Sequence, residues 1–265
     1  MRVISRINIG GPAIHVNLLQ NGLGDDTFES TLVAGSISPS EGAMNYIIQA
    51  DPDHFISIPE MQRELNPGKD IIALYKLFKI IWAKKPHIVH SHTAKAGTIA
   101  RLSSILCNLL GRQEIKTIHT FHGHVFEGYF SRLKSRFFIW TERLLAAFTD
   151  KIIAISPTQR EDLVIKHRIS KNEKVETIKL GFDLEPFVHS TKLKGNFRKK
   201  LAINNEVRLV GIVGRLVPVK NHFMFLEAVK HFLSQHPDLK ILFVVIGDGE
   251  MGDQLQDFCI QQGIS

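Results

Sequence analysis

The 265-residue sequence predicts an α/β protein of two doubly wound, mostly parallel-sheet domains, the second incomplete. Short β-branched runs alternate with helical periods almost throughout, the pattern of βαβ units with helices on both faces of a sheet. Several runs, such as "LKILFVVIG" (239–247), are apolar nearly from end to end, as strands covered on both faces should be. Glycine-containing turns follow several of them, at the strand ends where open α/β sheets bind ligands.

Taken in order, "MRVIS" is a first strand with almost no lead-in. In "RINIGGPAIHVNLL" (6–19) two glycines turn the chain and Pro12 takes the first helical position, where its missing N–H costs nothing. "FISI" (55–58), "HIVHSH" (87–92), "IKTIHTF" (115–121), "KIIAIS" (151–156), "KVETIKL" (174–180), "VRLVGIVG" (207–214) and 239–247 read as further strands. Helical periods cover 70–84, 95–110, 132–148, 157–167, 222–235 and 250–262. Breakers in 181–206 place a boundary there. The division expected is 1–185 as a first domain, 186–206 as a linker, and 207–265 as a partial second domain, cut at its C-terminus because it holds only a β-α-β-α unit. The basic stretch "TKLKGNFRKK" (191–200) reads as a solvated linker, with a phosphate- or membrane-facing patch as the alternative.

A 44% hydrophobic and 22% charged composition is that of a globular chain able to bury a core. Runs such as "IIALYKLFKIIWA" (71–83) are broken by lysine and fall short of the roughly 18–20 residues that span a bilayer. With no secretory pattern and two cysteines, Cys107 and Cys259, in helical periods, a cytoplasmic protein without disulfides is expected. The net charge of +7 and pI near 9.4 favour anionic partners. Neither a zinc-finger spacing nor an RNP-type strand is present, so nucleic acid is not an expected partner.

Four stretches could carry chemistry. The Gly10–Gly11 turn allows close backbone approach and opens a helix N-terminus to an anion, although a tight structural turn explains it equally. It fits neither G-x-G-x-x-G nor a P-loop. His90 and His92 alternate along one strand and share a face; His122 and His124 repeat the spacing after another. No cysteine pair, H-E-x-x-H or carboxylate cluster completes a metal site, so no metal is expected. Core packing remains an alternative for His90 and His119. In "GRLVPVKNH" (214–222), Arg215 and Lys220 offer a forked donor array and a point charge suited to a diphosphate. "VIGDGEMG" (245–252) turns through Gly247, Asp248 and Gly249 at the end of another strand.

Together and in this order, "NIGGPAIHV", "HIVHSHTAKAGTIARL", "TFHG", "ERLLAAFTDKIIAIS", "LGFD", "GRLVPVKN" and "VIGDGE" resemble glycosyltransferase family 4, the retaining nucleotide-sugar transferases of the GT-B fold with two Rossmann-like domains. The resemblance covers nearly the whole chain, and its flavour is that of bacterial enzymes of capsule, exopolysaccharide or O-antigen synthesis. It implies transfer from a nucleotide-sugar, with UDP as the family-weighted choice, to a glycan or polyprenyl-linked saccharide. His122, Arg215 and Lys220 become the implied catalytic residues. Gly10, Gly11, Arg215, Lys220, Gly247, Asp248 and Gly249 become the donor site, and His92 and Lys95 the acceptor side. No cofactor or metal is implied. "LGFD" replaces the common Asn-Gly-Ile-Asp. The family's Glu-x7-Glu lies beyond Ser265, so the chain alone is expected to be inactive.

Two rivals stay open: a nucleotide-sugar epimerase of the same shape, which would need acid/base carboxylates, and a non-catalytic nucleotide- or sugar-binding module. Helices within "LYKLFKIIWAKK" (74–85) and "SRLKSRFFIW" (131–140) mix basic and aromatic residues. Apolar faces packed on the sheet are the first expectation for both; contact with the inner face of the cytoplasmic membrane is the alternative.

Overall fold

A computed structural model describes residues 1–23, 27–37, 42, 44, 54–62, 64–111, 113–123 and 132–264. The chain divides into two compact units, Met1–Asp183 and Leu184–Ser265.

The first unit is built on seven parallel strands: β1 (Arg2–Ile4), β2 (Leu32–Gly35), β3 (Phe55–Ile58), β4 (Ile88–His92), β5 (Lys116–Phe121), β6 (Lys151–Ala154) and β7 (Val175–Thr177). Their order across the sheet is β3-β2-β1-β4-β5-β6-β7. The chain therefore winds outward from β1 in one direction and, after β3, returns to wind outward in the other. That reversal opens a crevice beyond the C-terminal ends of β1 and β4. The helices between are α1 (Gly11–Gly22), α2 (Pro67–Lys84), α3 (Ala94–Gly111), α4 (Arg132–Ala147) and α5 (Pro157–Glu161), the last running into a π-helical turn over Asp162–Lys166.

Strand alternation divides the core between the faces. Val3, Val33 and Val89 pack with Ala73, Leu77 and Ile81 of α2 and Ala96, Ile99 and Ala100 of α3. Their neighbours Ile4, Leu32 and Ala34 pack with Ala13 and Val16 of α1. Both sides of these strands are covered, so apolar residues are needed on both of their faces. The helix α2 is capped at both ends. The Asn66 side chain accepts from the Lys69 N–H, and Lys85 ends the helix in the left-handed region.

Two departures from the sequence reading have physical reasons. The strand β2 was not anticipated: its four residues follow a polar lead-in, and β1 and β3 flank them. At the sheet edge, β7 keeps three of the seven residues expected of it, since it pairs on one side only.

The second unit begins with short exposed helical turns, α6 (Glu185–Val188) and α7 (Asn196–Lys200). It continues as β8 (Arg208–Val213), α8 (His222–Gln235), β9 (Ile241–Ile246) and α9 (Gly252–Gln262), with β8 and β9 paired in parallel. Leu216, Leu226 and Leu255 centre its core. Among the described residues no helix is long and apolar enough to cross a membrane.

The two basic-aromatic helices differ. In α2 the residues Ala73, Leu77 and Ile81 are buried while Lys76 and Lys79 face outward, as expected. In α4 the orientation is partly reversed. Leu133, Phe137, Trp140 and Leu144, with Phe148 beyond, are 48–80% exposed, whereas Glu142 is buried beside Leu145 and Ala146. The cause is Arg101 of α3, itself buried, whose Nη2 donates to Glu142 Oε2 at 2.7 Å and turns that face of α4 inward.

Candidate functional site

Three elements of the first unit converge on the crevice at the strand reversal. His92 is the last residue of β4, in register with Ile4 at the end of β1 and Thr120 of β5. His122 follows β5 directly. His15 sits one turn into α1, which leaves β1 through the glycine turn. His92 Nδ1 and His122 Nε2 lie 3.0 Å apart. The ring centroid of His15 is 5.7 Å from that of His92 and 5.2 Å from that of His122.

His90 shares the face of His92, with ring centroids 4.2 Å apart, and its Nε2 is 2.8 Å from Thr120 Oγ1. On the opposite face, His119 is fully packed: its Nδ1 meets Ser91 Oγ at 2.9 Å. A Cβ at Gly97 would stand 2.4 Å from its ring, so that glycine makes room for it. His119 is therefore the core histidine, while His90 supports the crevice from beneath. His124 lies outside the described residues.

Burial dominates the electrostatics, because each imidazolium would have to leave water. It pushes His122 down to about 4 and His90 to about 3, and holds His92 well below its usual value. His15 is lowered by burial and then by the Arg2 guanidinium. Arg2 is itself fixed beneath α1 by Gln20 Oε1, at 2.8 Å, and by Ser30 Oγ. Among the described residues, the charged groups acting on these rings are Arg2, the N-terminal ammonium and one another, and no carboxylate. The crevice therefore presents neutral imidazoles, which can both donate and accept.

The backbone around them is shaped as well. Thr93, immediately after His92, has φ +67°, a strained value for a β-branched residue, and its hydroxyl donates to Ser5 Oγ at 2.9 Å. Gly10 and Gly11 are open: a Cβ at Gly11 would meet nothing within 4 Å. Among the described residues nothing requires a bare backbone at Gly11, and α1 starts there with no side-chain cap or acidic residue in its first turn.

Lys95 of α3 is drawn elsewhere. Its ammonium forms an ion pair with Asp70 at 2.5 Å and also donates to the Glu64 carbonyl, tying α3 to α2.

In the second unit Arg215 and Lys220 are exposed, and among the described residues their side chains have no hydrogen-bond or ionic partner. Between them a short 3₁₀ turn, Pro218–Lys220, delivers the chain to Asn221, whose φ of +49° starts α8. The glycines nearby have a structural reason of their own. A Cβ at Gly247 would lie 1.9 Å from the Gly214 carbonyl oxygen, and one at Gly249 would lie 2.5 Å from that of Leu216. The two strand-end loops pack backbone to backbone, joined by Leu216 N–H to Asp248 O at 2.9 Å and Met251 N–H to Leu216 O at 3.1 Å. The Asp248 carboxylate accepts from the Gly249 N–H at 2.7 Å.

His15 is the site member that sequence reasoning missed. The signal lay in the strand order: once β1 is placed beside β4, the first turn of the helix after β1 must face the end of β4.

Residues 9–186 match the family model described as Glycosyltransferase Family 4. The chain belongs to that family. Residues 194–265 match a second model, Glycosyl transferases group 1. Among curated relatives, the glycosyltransferase is 27% identical to the UDP-Gal:alpha-D-GlcNAc-diphosphoundecaprenol alpha-1,3-galactosyltransferase of Escherichia coli, over 88% of this chain and 58% of that one. It is 26% identical to the capsular polysaccharide biosynthesis glycosyltransferase CapM of Staphylococcus aureus, over 74% of this chain and 50% of that one. The chain thus spans little more than half the length of these relatives. Sucrose-phosphate synthase from Thermosynechococcus elongatus superposes with a TM-score of 0.67 at 16% identity, covering 100% of this chain and 68% of that one. UDP-GlcNAc 2-epimerase from Neisseria meningitidis gives 0.60 at 13%, covering 99% and 69%. These likenesses are of fold, the GT-B class, which transferases and epimerases share.

Proposed function

We propose that the full-length protein transfers a hexosyl group from a nucleotide-sugar, a UDP-sugar by preference, to a glycan or lipid-linked saccharide with retention of anomeric configuration, in bacterial cell-surface polysaccharide synthesis. The observation that carries this reading is the convergence of His15, His92 and His122 at the strand reversal, beside the open Gly10–Gly11 turn. Neutral imidazoles there suit sugar hydroxyls, which need partners that donate and accept. In this reading His122 bonds the transferred sugar. Gly10, Gly11 and the start of α1 face phosphate oxygens, and His92 orients His122 on the acceptor side. Arg215 and Lys220 hold the diphosphate, with Gly247, Asp248 and Gly249 along the nucleoside.

Chemically, the acceptor hydroxyl bonds to the anomeric carbon as the bond from that carbon to the phosphate oxygen breaks. The departing phosphate accepts the hydroxyl proton on the same face, and the nucleoside diphosphate leaves. Arg215 and Lys220 would stabilise the charge that develops on it, so no metal is assigned to the transfer. Among the described residues, no acidic pair of the kind an epimerase requires acts on the histidine cluster. Lipid-linked saccharide as acceptor rests on the similarity to the Escherichia coli galactosyltransferase, named for a diphosphoundecaprenol-linked acceptor.

We place the reaction in the cytoplasm at the inner face of the membrane, with α4 as the contact surface. Its exposed stripe of Leu133, Phe137, Trp140, Leu144 and Phe148 recurs every three or four residues. At 3.6 residues per turn, Lys134 lies on one flank and Arg136 on the other, an arrangement complementary to an anionic bilayer.

The test is to incubate the full-length protein with a nucleotide-sugar panel and a polyprenyl-diphosphate saccharide, and to read the product by NMR. A new glycosidic bond of the donor's configuration supports the reading. An inverted bond overturns retention, and an epimerised free nucleotide-sugar overturns transfer.

A further inference from the structure

The three crevice histidines hold more ligating capacity than a sugar contact uses. His15 Nδ1, His92 Nε2 and His122 Nδ1 are all buried without a hydrogen-bond partner, although buried polar atoms are satisfied in the great majority of cases. One ring nitrogen from each histidine can be chosen so that all three lie within 4.8 Å of one another. The closest pair, His92 Nδ1 and His122 Nε2, are not the unpartnered nitrogens but the two that bond each other at 3.0 Å. An ion between them would replace that bond at close to the spacing of two tetrahedral ligands, roughly 3.3 Å for Zn–N bonds of about 2.0–2.1 Å. His15 comes from a third element, α1, and is the least buried of the three.

We propose that His15, His92 and His122 form a three-imidazole site for a borderline divalent transition-metal ion such as zinc, with its fourth position open to the crevice. The donor set selects the class of ion. Three nitrogens and no carboxylate suit zinc, nickel or copper, whereas magnesium and calcium need oxygen ligands. The rings come from α1, β4 and the end of β5, so an ion held between them would also pin the glycine turn and the strand ends to one another. Where His122 serves the transferred sugar, as in the function proposed above, the ion occupies the same side chain and acts as an inhibitor.

Isothermal titration of zinc chloride into chelator-treated full-length protein tests the site, with magnesium chloride as the control. One equivalent of zinc and no magnesium is expected, with zinc K-edge absorption showing three imidazole nitrogens in the first shell. His15→Ala should weaken zinc affinity by more than about 100-fold, beyond the loss typical of an outer partner of a metal ligand. His15 is chosen because His92 is wholly buried and its removal could unfold the unit; His122→Ala provides a second, more exposed variant. His54→Ala, which removes a half-exposed histidine just before β3 at the opposite end of the strands, should bind as before. Absence of zinc binding, or binding unchanged in His15→Ala and His122→Ala, overturns the proposal. Stoichiometric zinc binding that leaves sugar transfer untouched supports the metal site and counts instead against the sugar-contacting role of His122.

Discussion

His92 Nδ1 lies 3.0 Å from His122 Nε2, so the two rings share one proton and fix each other's tautomers. The buried end of β4 thereby aims the ring that follows β5. In the proposed function His122→Ala removes a group that bonds the sugar and should lower kcat/KM by about 10² or more, the scale of one lost donor at a reacting centre. His122 stands at a strand end and is only partly buried, so the thermal midpoint should change little. Steady-state kinetics beside a melting curve checks this, and unchanged kcat/KM would remove His122 from the mechanism.

Acid should weaken the fold in a defined window. His122 is held at about 4 and His90 at about 3, with His92 and His119 well below 6.5. Unfolded histidines titrate near 6.5, so below that pH the unfolded chain binds more protons than the folded one. The histidines' contribution to stability is therefore fully present above about pH 6.5. It falls as pH drops through 6.5 to about 4 for His122 and about 3 for His90, by about 1.4 kcal/mol per pH unit for each histidine. Urea midpoints should decline gently from about pH 8, where the buried Met1 ammonium, pushed down to about 6, begins to contribute, and more steeply below 6.5; a rise on acidification would contradict the neutral assignment.

The glycines make opposite predictions in the two units. Gly247→Ala drives a Cβ into the Gly214 carbonyl and should destabilise the second unit by about 1–3 kcal/mol. Gly11→Ala meets open space and should leave stability within about 0.5 kcal/mol while weakening nucleotide-sugar affinity. Differential scanning calorimetry with donor titration separates them; equal losses of stability would refute the distinction.

Breaking the Arg101–Glu142 pair should be costly. Glu142→Ala leaves a buried guanidinium without its carboxylate and should cost about 3–5 kcal/mol in urea unfolding, with Arg101→Met/Glu142→Leu recovering most of it. A loss below 1 kcal/mol would mean the pair does not set the orientation of α4.

Replacing both Phe137 and Trp140 with Glu should reduce co-sedimentation with anionic vesicles by about tenfold or more, given the apolar area each buries. Binding unchanged by these substitutions, or insensitive to vesicle charge, would move the membrane contact elsewhere.

Much of the first unit was legible because short β-branched runs recur between helical periods, as at β4, β5 and β6. The short β2 carried too little pattern to separate it from a loop. The orientation of α4 was hidden because it depends on Arg101, some 40 residues earlier in the chain, calling Glu142 inward. Gly247 and Gly249 read naturally as ligand glycines, yet packing between the two loops accounts for them. His15 could not be read from spacing at all, since only the strand order brings it to His92 and His122.

The central claim is that Arg215 and Lys220 grip the donor diphosphate, and the most direct measurement is turnover of a nucleotide-sugar panel by the full-length protein beside Arg215→Ala and Lys220→Ala. Both side chains are exposed and unpartnered among the described residues, so both variants should fold like the parent. Each is expected to lose about 10²-fold or more in kcat for the one donor that turns over. Turnover that survives both substitutions would make them surface charges and contradict the account.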